Sequence, residues 1–188
     1  VSVFTFSEPL FSTQVMHILY IHQYFKTPEE GGAIRSYYLA KGLVEAGHKV
    51  TMVTSHNELT YKKMLVDGIY VHYLPVPYSQ DFSKWKRIQA FLWFAWYACL
   101  KAPLFKHADR VYATSTPLTV GLAALYYRWR YRIPYLFEVR DLWPEAPVQM
   151  GVFRNRWLIK YLQNWEKRIY RQARALVALS PAIERHIR

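Results

Sequence analysis

From residue 16 onward, short apolar runs alternate with longer amphipathic blocks, and this alternation limits the fold more than any other feature of the sequence. The runs "HILYIHQ", "VTMVTS", "IYVHYLPV", "RVYATS", "PYLFEVRD" and "ALVALS" read as buried strands. Between them lie helical patterns. Leu39, Ala40, Leu43 and Val44 share one helical face, and Gly47 ends that helix. Residues 83–102 form a long helix candidate, and a further helix is expected from Pro117, which suits a first helical turn, to about Arg130. Residues 155–173 place Leu158, Leu162, Trp165 and Ile169 on one stripe, and "PAIERHIR" starts another helix. Strand and helix in turn predict an α/β fold. The expected form is a Rossmann-like doubly wound parallel sheet in three α/β/α layers, joined by right-handed crossovers.

Sheets of this kind hold ligands outside the carboxyl ends of their strands, so the chemistry is expected in loops 22–33, 54–60, 75–82, 115–117 and 140–150. The first loop carries Gly31 and Gly32 just before a helix. Glycine permits positive φ and leaves no side chain in the way of a ligand, and the helix start offers free N–H groups. A phosphate or a sugar hydroxyl fits there, with Arg35 adding a charge-assisted contact. A tight turn with no ligand explains the pair equally well. The spacing is neither GxGxxG nor GxxxxGK[ST]. In "EVRDLWPE", Arg140 and Asp141 stand at a strand end, and Pro144 opens a helix whose positive end takes Glu145. Asp141 suits holding an acceptor hydroxyl or taking its proton, Arg140 suits a phosphate, and Trp143 suits a sugar face. The structural alternatives are a helix cap at Asp141 and core packing at Trp143.

The net charge of +12 on 188 residues points to a polyanionic partner, and the 52% hydrophobic content excludes a disordered chain. The lone Cys99 excludes an internal disulfide and a cysteine-rich zinc site, and no Asp-x-Asp or HExxH spacing occurs. No metal or other cofactor is expected. Residues 1–15 lack a basic leader and are read as a non-native or disordered extension, with the domain at 16–188. In "SKWKRIQAFLWFAWYACLKAPLF", the stretch Ala90–Leu100 is apolar without interruption but too short to span a bilayer. A buried core helix and a membrane-facing helix both fit it. Lys84, Lys86 and Arg87 sit at its amino end, where the helix dipole disfavours cations, and anionic lipid head groups would compensate. Residues 151–188 add nine Lys and Arg against Glu166 and Glu184.

The segments "MHILYIHQYF…GGAIRSYYLAKGLVEAGHKVTMVTS", "ADRVYATSTPLTVGLAAL", "FEVRDLWPEAPVQMG" and "ALVALSPAIERHI" together resemble family 4 retaining glycosyltransferases. The run "RDLWPE" is similar to the signature of a bacterial subgroup that builds surface polysaccharides. The resemblance covers about residues 16–188 and implies one half of a two-domain GT-B enzyme, the amino-terminal, acceptor-side half. It further implies a nucleotide-diphospho-sugar donor, held mostly by a second domain that nothing in this chain matches, and a lipid-linked saccharide acceptor. The expected setting is peripheral, at the inner (cytoplasmic) face of a bacterial membrane. Many relatives have a histidine near the position of Arg140, so that role does not transfer. The fragment alone is expected to be inactive. The rival readings are a basic nucleic-acid-binding module and a non-catalytic membrane scaffold. No nucleic-acid motif appears, and the aromatic residues fall in apolar runs, so nucleic acid is not the expected partner.

Overall fold

Each apolar run named above becomes a strand, because a run buried on both faces is stable only inside a sheet covered on both sides. The computed structural model describes residues 2–4, 14–32, 34–143 and 155–187. In chain order the elements are β1 (Ser2–Phe4), β2 (His17–Ile21), α1 (Arg35–Glu45), β3 (Lys49–His56), β4 (Lys62–Val66), β5 (Ile69–Pro75) and α2 (Lys84–Leu100). A 3-10 turn (Ala102–Phe105), β6 (Arg110–Thr114), α3 (Val120–Tyr131), β7 (Tyr135–Val139), α4 (Arg156–Gln172), β8 (Ala175–Ala178) and α5 (Pro181–Ile187) follow.

They build one sheet in the order β1-β8-β7-β6-β2-β3-β5-β4, parallel except where β4 runs against β5. The chain moves outward from β2 through β3 and β5, then returns to the other side of β2 at β6 and continues through β7 to β8. The direction therefore reverses between β2 and β6, and the crevice above that reversal is where an open α/β sheet accepts a ligand. This is the expected Rossmann-like α/β fold.

Alternate strand residues feed two cores. Ile18, Tyr20, Val50, Met52, Val71 and Tyr112 face Tyr37, Ala40 and Leu43 of α1. Leu19, Ile21, Val53, Val111, Tyr135 and Phe137 face α2, α3 and Ile169 of α4. The period of two along each strand thus separates the helices into two layers. Helix α2 settles the question its sequence left open. Ala90, Phe94, Ala95 and Ala98 turn inward, while Trp93, Trp96, Leu92 and Leu100 stay exposed. It is neither wholly buried nor wholly free.

Three local expectations need correction. The helix after β6 starts at Val120, not at Pro117, because a turn comes first, in which the Val120 N–H donates to the Pro117 carbonyl at 3.1 Å. Strand β4 was not expected. Its side chains are largely exposed, so it carries no core pattern, and it is held by a two-residue turn with Asp67 (φ 46°) and Gly68 (φ 82°). Ser2–Phe4, inside the stretch read as an extension, pair in parallel with β8 and cover that sheet edge, where backbone groups would otherwise lack partners.

Two glycines give opposite predictions. A Cβ on the buried Gly121 of α3 would meet Ile169 Cδ1 at 2.7 Å and Cγ2 at 2.8 Å, where α3 crosses α4. Overpacking of about 1–3 kcal/mol outweighs the gain of about 1 kcal/mol in helix propensity, so Gly121→Ala lowers stability. The exposed Gly42 of α1 has nothing within 4 Å of its Cβ position, and Gly42→Ala raises stability by about 1 kcal/mol. Denaturant midpoints of the two variants are expected to move in opposite directions.

Candidate functional site

The crevice between β2 and β6 is walled by the residues that end β2, β6 and β7, which are hydrogen-bonded neighbours. After β2, the loop brings Gly31 (φ 67°) and Gly32 (φ 87°) to the surface, both exposed and with open space where a Cβ would stand. Their positive φ values make glycine the fitting residue there. Helix α1 begins a few residues later, and its first turn is tied down at two points.

The first tie is Arg35. Its Nε and Nη2 donate to Glu138 Oε1 at 3.1 and 2.8 Å, reaching from α1 across the mouth to β7. Glu138 is buried, its side chain 1% exposed. Its second oxygen accepts from Thr114 Oγ1 at 2.8 Å, and the Tyr20 hydroxyl lies 3.1 Å from that same Oγ1. One network thus joins β2, β6, β7 and α1. Burial, then the nearby Glu138 charge, pushes the Tyr20 phenol well above its usual range, so it stays protonated. The sequence reading gave Arg35 an anion contact, but the structure commits its guanidinium to Glu138, so its first task is to hold the glycine loop in place.

The second tie is His22, also buried, whose Nδ1 lies 2.9 Å from Ser36 Oγ in α1. Burial, then the charge of Arg140, lowers its pKa to about 3, so the ring is neutral at physiological pH. The next residue, Gln23, is fully buried, and its amide has no hydrogen-bond partner among the described residues. It lines a polar cleft of about 460 Å³ with Ser55, His56, Asn57 and Tyr78, beyond the ends of β2 and β3.

On the other side of the crevice, the Arg140 backbone N–H donates to Ser115 Oγ at 2.8 Å, fixing the turn after β7 against the turn after β6. Arg140 is half-buried and its charge acts on Tyr20, His22 and Tyr112, which places it beside the network. Asp141 is exposed, and its Oδ2 accepts from Thr116 Oγ1 at 2.5 Å. A carboxylate braced on one oxygen and open to solvent on the other is equipped to receive a hydroxyl or its proton. Trp143 is half-buried and meets Phe91 edge to face at 6.5 Å. Pro144 and Glu145 lie outside the described residues.

Lys84, Lys86 and Arg87 occupy the first turn of α2, capped by Ser83, whose Oγ accepts from the Lys86 N–H. The two lysines are exposed, and Lys86 Nζ stands 3.9 Å from the centre of the Phe82 ring. Among the described residues no group of three or more His, Cys, Asp or Glu could hold a metal ion. No helix among them is long and apolar enough to cross a membrane. The sequence reading missed Glu138, His22 and Gln23. Glu138 had a signal, since it is a lone acid inside the apolar run "YLFEV".

A search of curated proteins gives no significant match. Among solved structures the chain is similar to the calicheamicin glycosyltransferase CalG4, with 15% identity and a TM-score of 0.52 over 87% of this chain and 48% of that one. The chain therefore spans about half the length of that solved protein, and at this identity the likeness concerns the fold. A model of the glycosyl transferase 4-like domain matches residues 30–188, a range that takes in both glycines, Arg35, Glu138, Arg140 and Asp141. With most of its length matched, the chain belongs to the glycosyl transferase 4-like domain family.

Proposed function

We propose that this chain is the acceptor-side half of a retaining GT-B glycosyltransferase of family 4, in the subgroup carrying "RDLWPE". The donor is a nucleotide-diphospho-sugar, and the acceptor is a lipid-linked saccharide in the synthesis of a bacterial surface polysaccharide. A second, carboxyl-terminal domain brings most of the donor site. The half works peripherally at the inner membrane face, with Lys84, Lys86 and Arg87 against anionic lipid. No catalytic metal and no nucleic acid take part.

In this reading the bond between the sugar's anomeric carbon and the diphosphate oxygen breaks as an oxocarbenium-like centre forms. The acceptor oxygen attacks from the face the diphosphate leaves, so configuration is retained. The electron pair of the broken bond leaves with the diphosphate. Arg140 and the N–H groups behind Gly31 and Gly32 supply positive potential for it, with Arg35 holding that loop. Glu145, outside the described residues, is assigned with them to substrate binding. Asp141 holds the acceptor hydroxyl and takes its proton. The observation that carries this reading is the exposed Asp141 carboxylate, braced by Thr116 beside Arg140 on the crevice where the sheet reverses.

Release of nucleoside diphosphate tests it. The 188-residue chain alone is expected to show no turnover, and a polypeptide carrying both halves is expected to turn over. In that polypeptide Asp141→Asn is expected to lower kcat by about 10²–10⁴-fold with the fold intact. Turnover by the single half, or an Asn variant as active as the parent, would overturn the assignment.

A further inference from the structure

The layer formed by α2, α3 and α4 is not closed. Between these helices lies a cleft of about 250 Å³ lined by Phe91, Leu118, Leu122, Leu162 and Trp165 and ended by Trp143. Among the described residues no charged side chain lines it, and the lining threonine, Thr119, already donates its hydroxyl to the Phe91 carbonyl at 3.1 Å. Ile88, Leu92 and Leu122 also line an open trough of about 890 Å³ on the outer side of α2, where Trp85, Trp93 and Trp96 are exposed. Cleft and trough adjoin across this shared wall, an apolar channel in two parts whose lining extends from the outer face of α2 to Pro117 and Trp143.

The exposed charges of the three helices that form this channel are of one sign. Helices α2 and α3 carry no acidic residue. In α4 the only acid is Glu166, which is buried and accepts from the Tyr170 hydroxyl at 2.8 Å. Against this stand Lys84 and Lys86 of α2, Arg128 and Arg130 of α3, and Arg156 and Lys160 of α4, all exposed. An apolar groove with a cationic rim complements a molecule with an apolar chain and an anionic head. A second copy of the chain, with a net charge of +12, would set the same cations against one another.

We propose that this channel takes the hydrocarbon chain of a phosphate-bearing lipid, the one that carries the saccharide acceptor. This rests on the lipid-linked reading of the acceptor and names the surface that receives the lipid. The inner end of the channel touches Pro117 and Trp143, which flank Thr116 and Asp141 in sequence, so the lipid is held on the same side of the mouth as the reacting hydroxyl. Burying the chain against apolar side chains drives binding, and the rim cations choose the anionic head.

Farnesyl phosphate tests this on the 188-residue chain, read by the fluorescence of Trp143 and Trp165, which line the inner cleft. Saturable binding is expected, with none for inorganic phosphate, which has no chain. Leu92→Glu sets a carboxylate where cleft and trough join, at a position 53% exposed that tolerates the change, and is expected to weaken binding about tenfold or more. Leu65→Glu, the same change on the 64% exposed Leu65 of β4, is expected to leave binding unchanged. Absent binding, or equal loss in both variants, would overturn the proposal. So would a concentration-dependent dimer abolished by Leu92→Glu without effect on the lipid, since that result assigns the channel to self-association. Nucleotide-sugar turnover is read separately, so a failure of lipid binding and a failure of the transferase reading are told apart.

Discussion

Arg35→Ala is expected to lower the stability of the fold by about 3 kcal/mol. This is the low end of the range for breaking a buried ion pair, because the Arg35 side chain is 37% exposed while that of Glu138 is 1% exposed. Removing the guanidinium leaves a carboxylate inside the sheet with Thr114 as its remaining hydrogen-bond donor of the pair. Arg35→Lys is expected to recover only part of the loss, since one ammonium cannot reproduce two donors in a fixed fork. The double change Arg35→Met with Glu138→Leu is expected to be more stable than Arg35→Ala, because no charge is then stranded. Denaturant unfolding of the parent and the three variants measures this order. The mouth is expected to fail in a different way from the fold. The double variant is expected to regain stability while leaving the first turn of α1 without its tie to β7.

Acidification gives the second large effect. His22 is neutral in the folded chain, with a pKa lowered to about 3 by burial and then by Arg140, against an ordinary 6.5. His72 is lowered to about 4 by burial and then by Lys63, and His17 is lowered by burial and then by Lys49. A depressed folded pKa means that the unfolded chain takes up protons first. The stabilisation is complete above pH 6.5 and is lost as the pH falls toward 4 and 3. For His22 the loss is on the order of 3 kcal/mol by pH 4. Stability measured at intervals from pH 7 to 4 is expected to fall throughout that range. His22→Asn, which does not titrate there, is expected to flatten the slope. An unchanged slope in that variant would remove His22 from the account.

The two-layer plan was legible because β2, β3, β6, β7 and β8 are largely buried and their sequences are mostly apolar, and β5 keeps an apolar alternation. Strand β4 was not, because "KKMLV" lies at an edge with its side chains outward, where no core selects its residues. Its one local cue is the Asp67-Gly68 pair, a hairpin turn in two residues. In α2 the sequence supplied an unbroken apolar run and therefore no face. Packing chose Ala90, Phe94 and Ala98, four residues apart, and left the larger tryptophans outside. At the mouth, Gly31, Gly32 and Asp141 were legible from loop position and from resemblance. The pairing of Arg35 with Glu138 was not. It joins residues 103 positions apart, and only the order of the strands brings them together.

The β4–β5 hairpin has a consequence for how the molecule behaves among its neighbours. Without it, β5 would end the sheet as a row of open amide and carbonyl groups beside Tyr70 and Tyr73, a ready template for another chain. β4 takes up that row and turns outward a strand headed by Lys62 and Lys63. A second sheet approaching along this rim meets two ammonium groups before it meets backbone. β4, a strand with no fully buried residue, thus sets charge along the rim where concentrated protein would otherwise zip edge to edge.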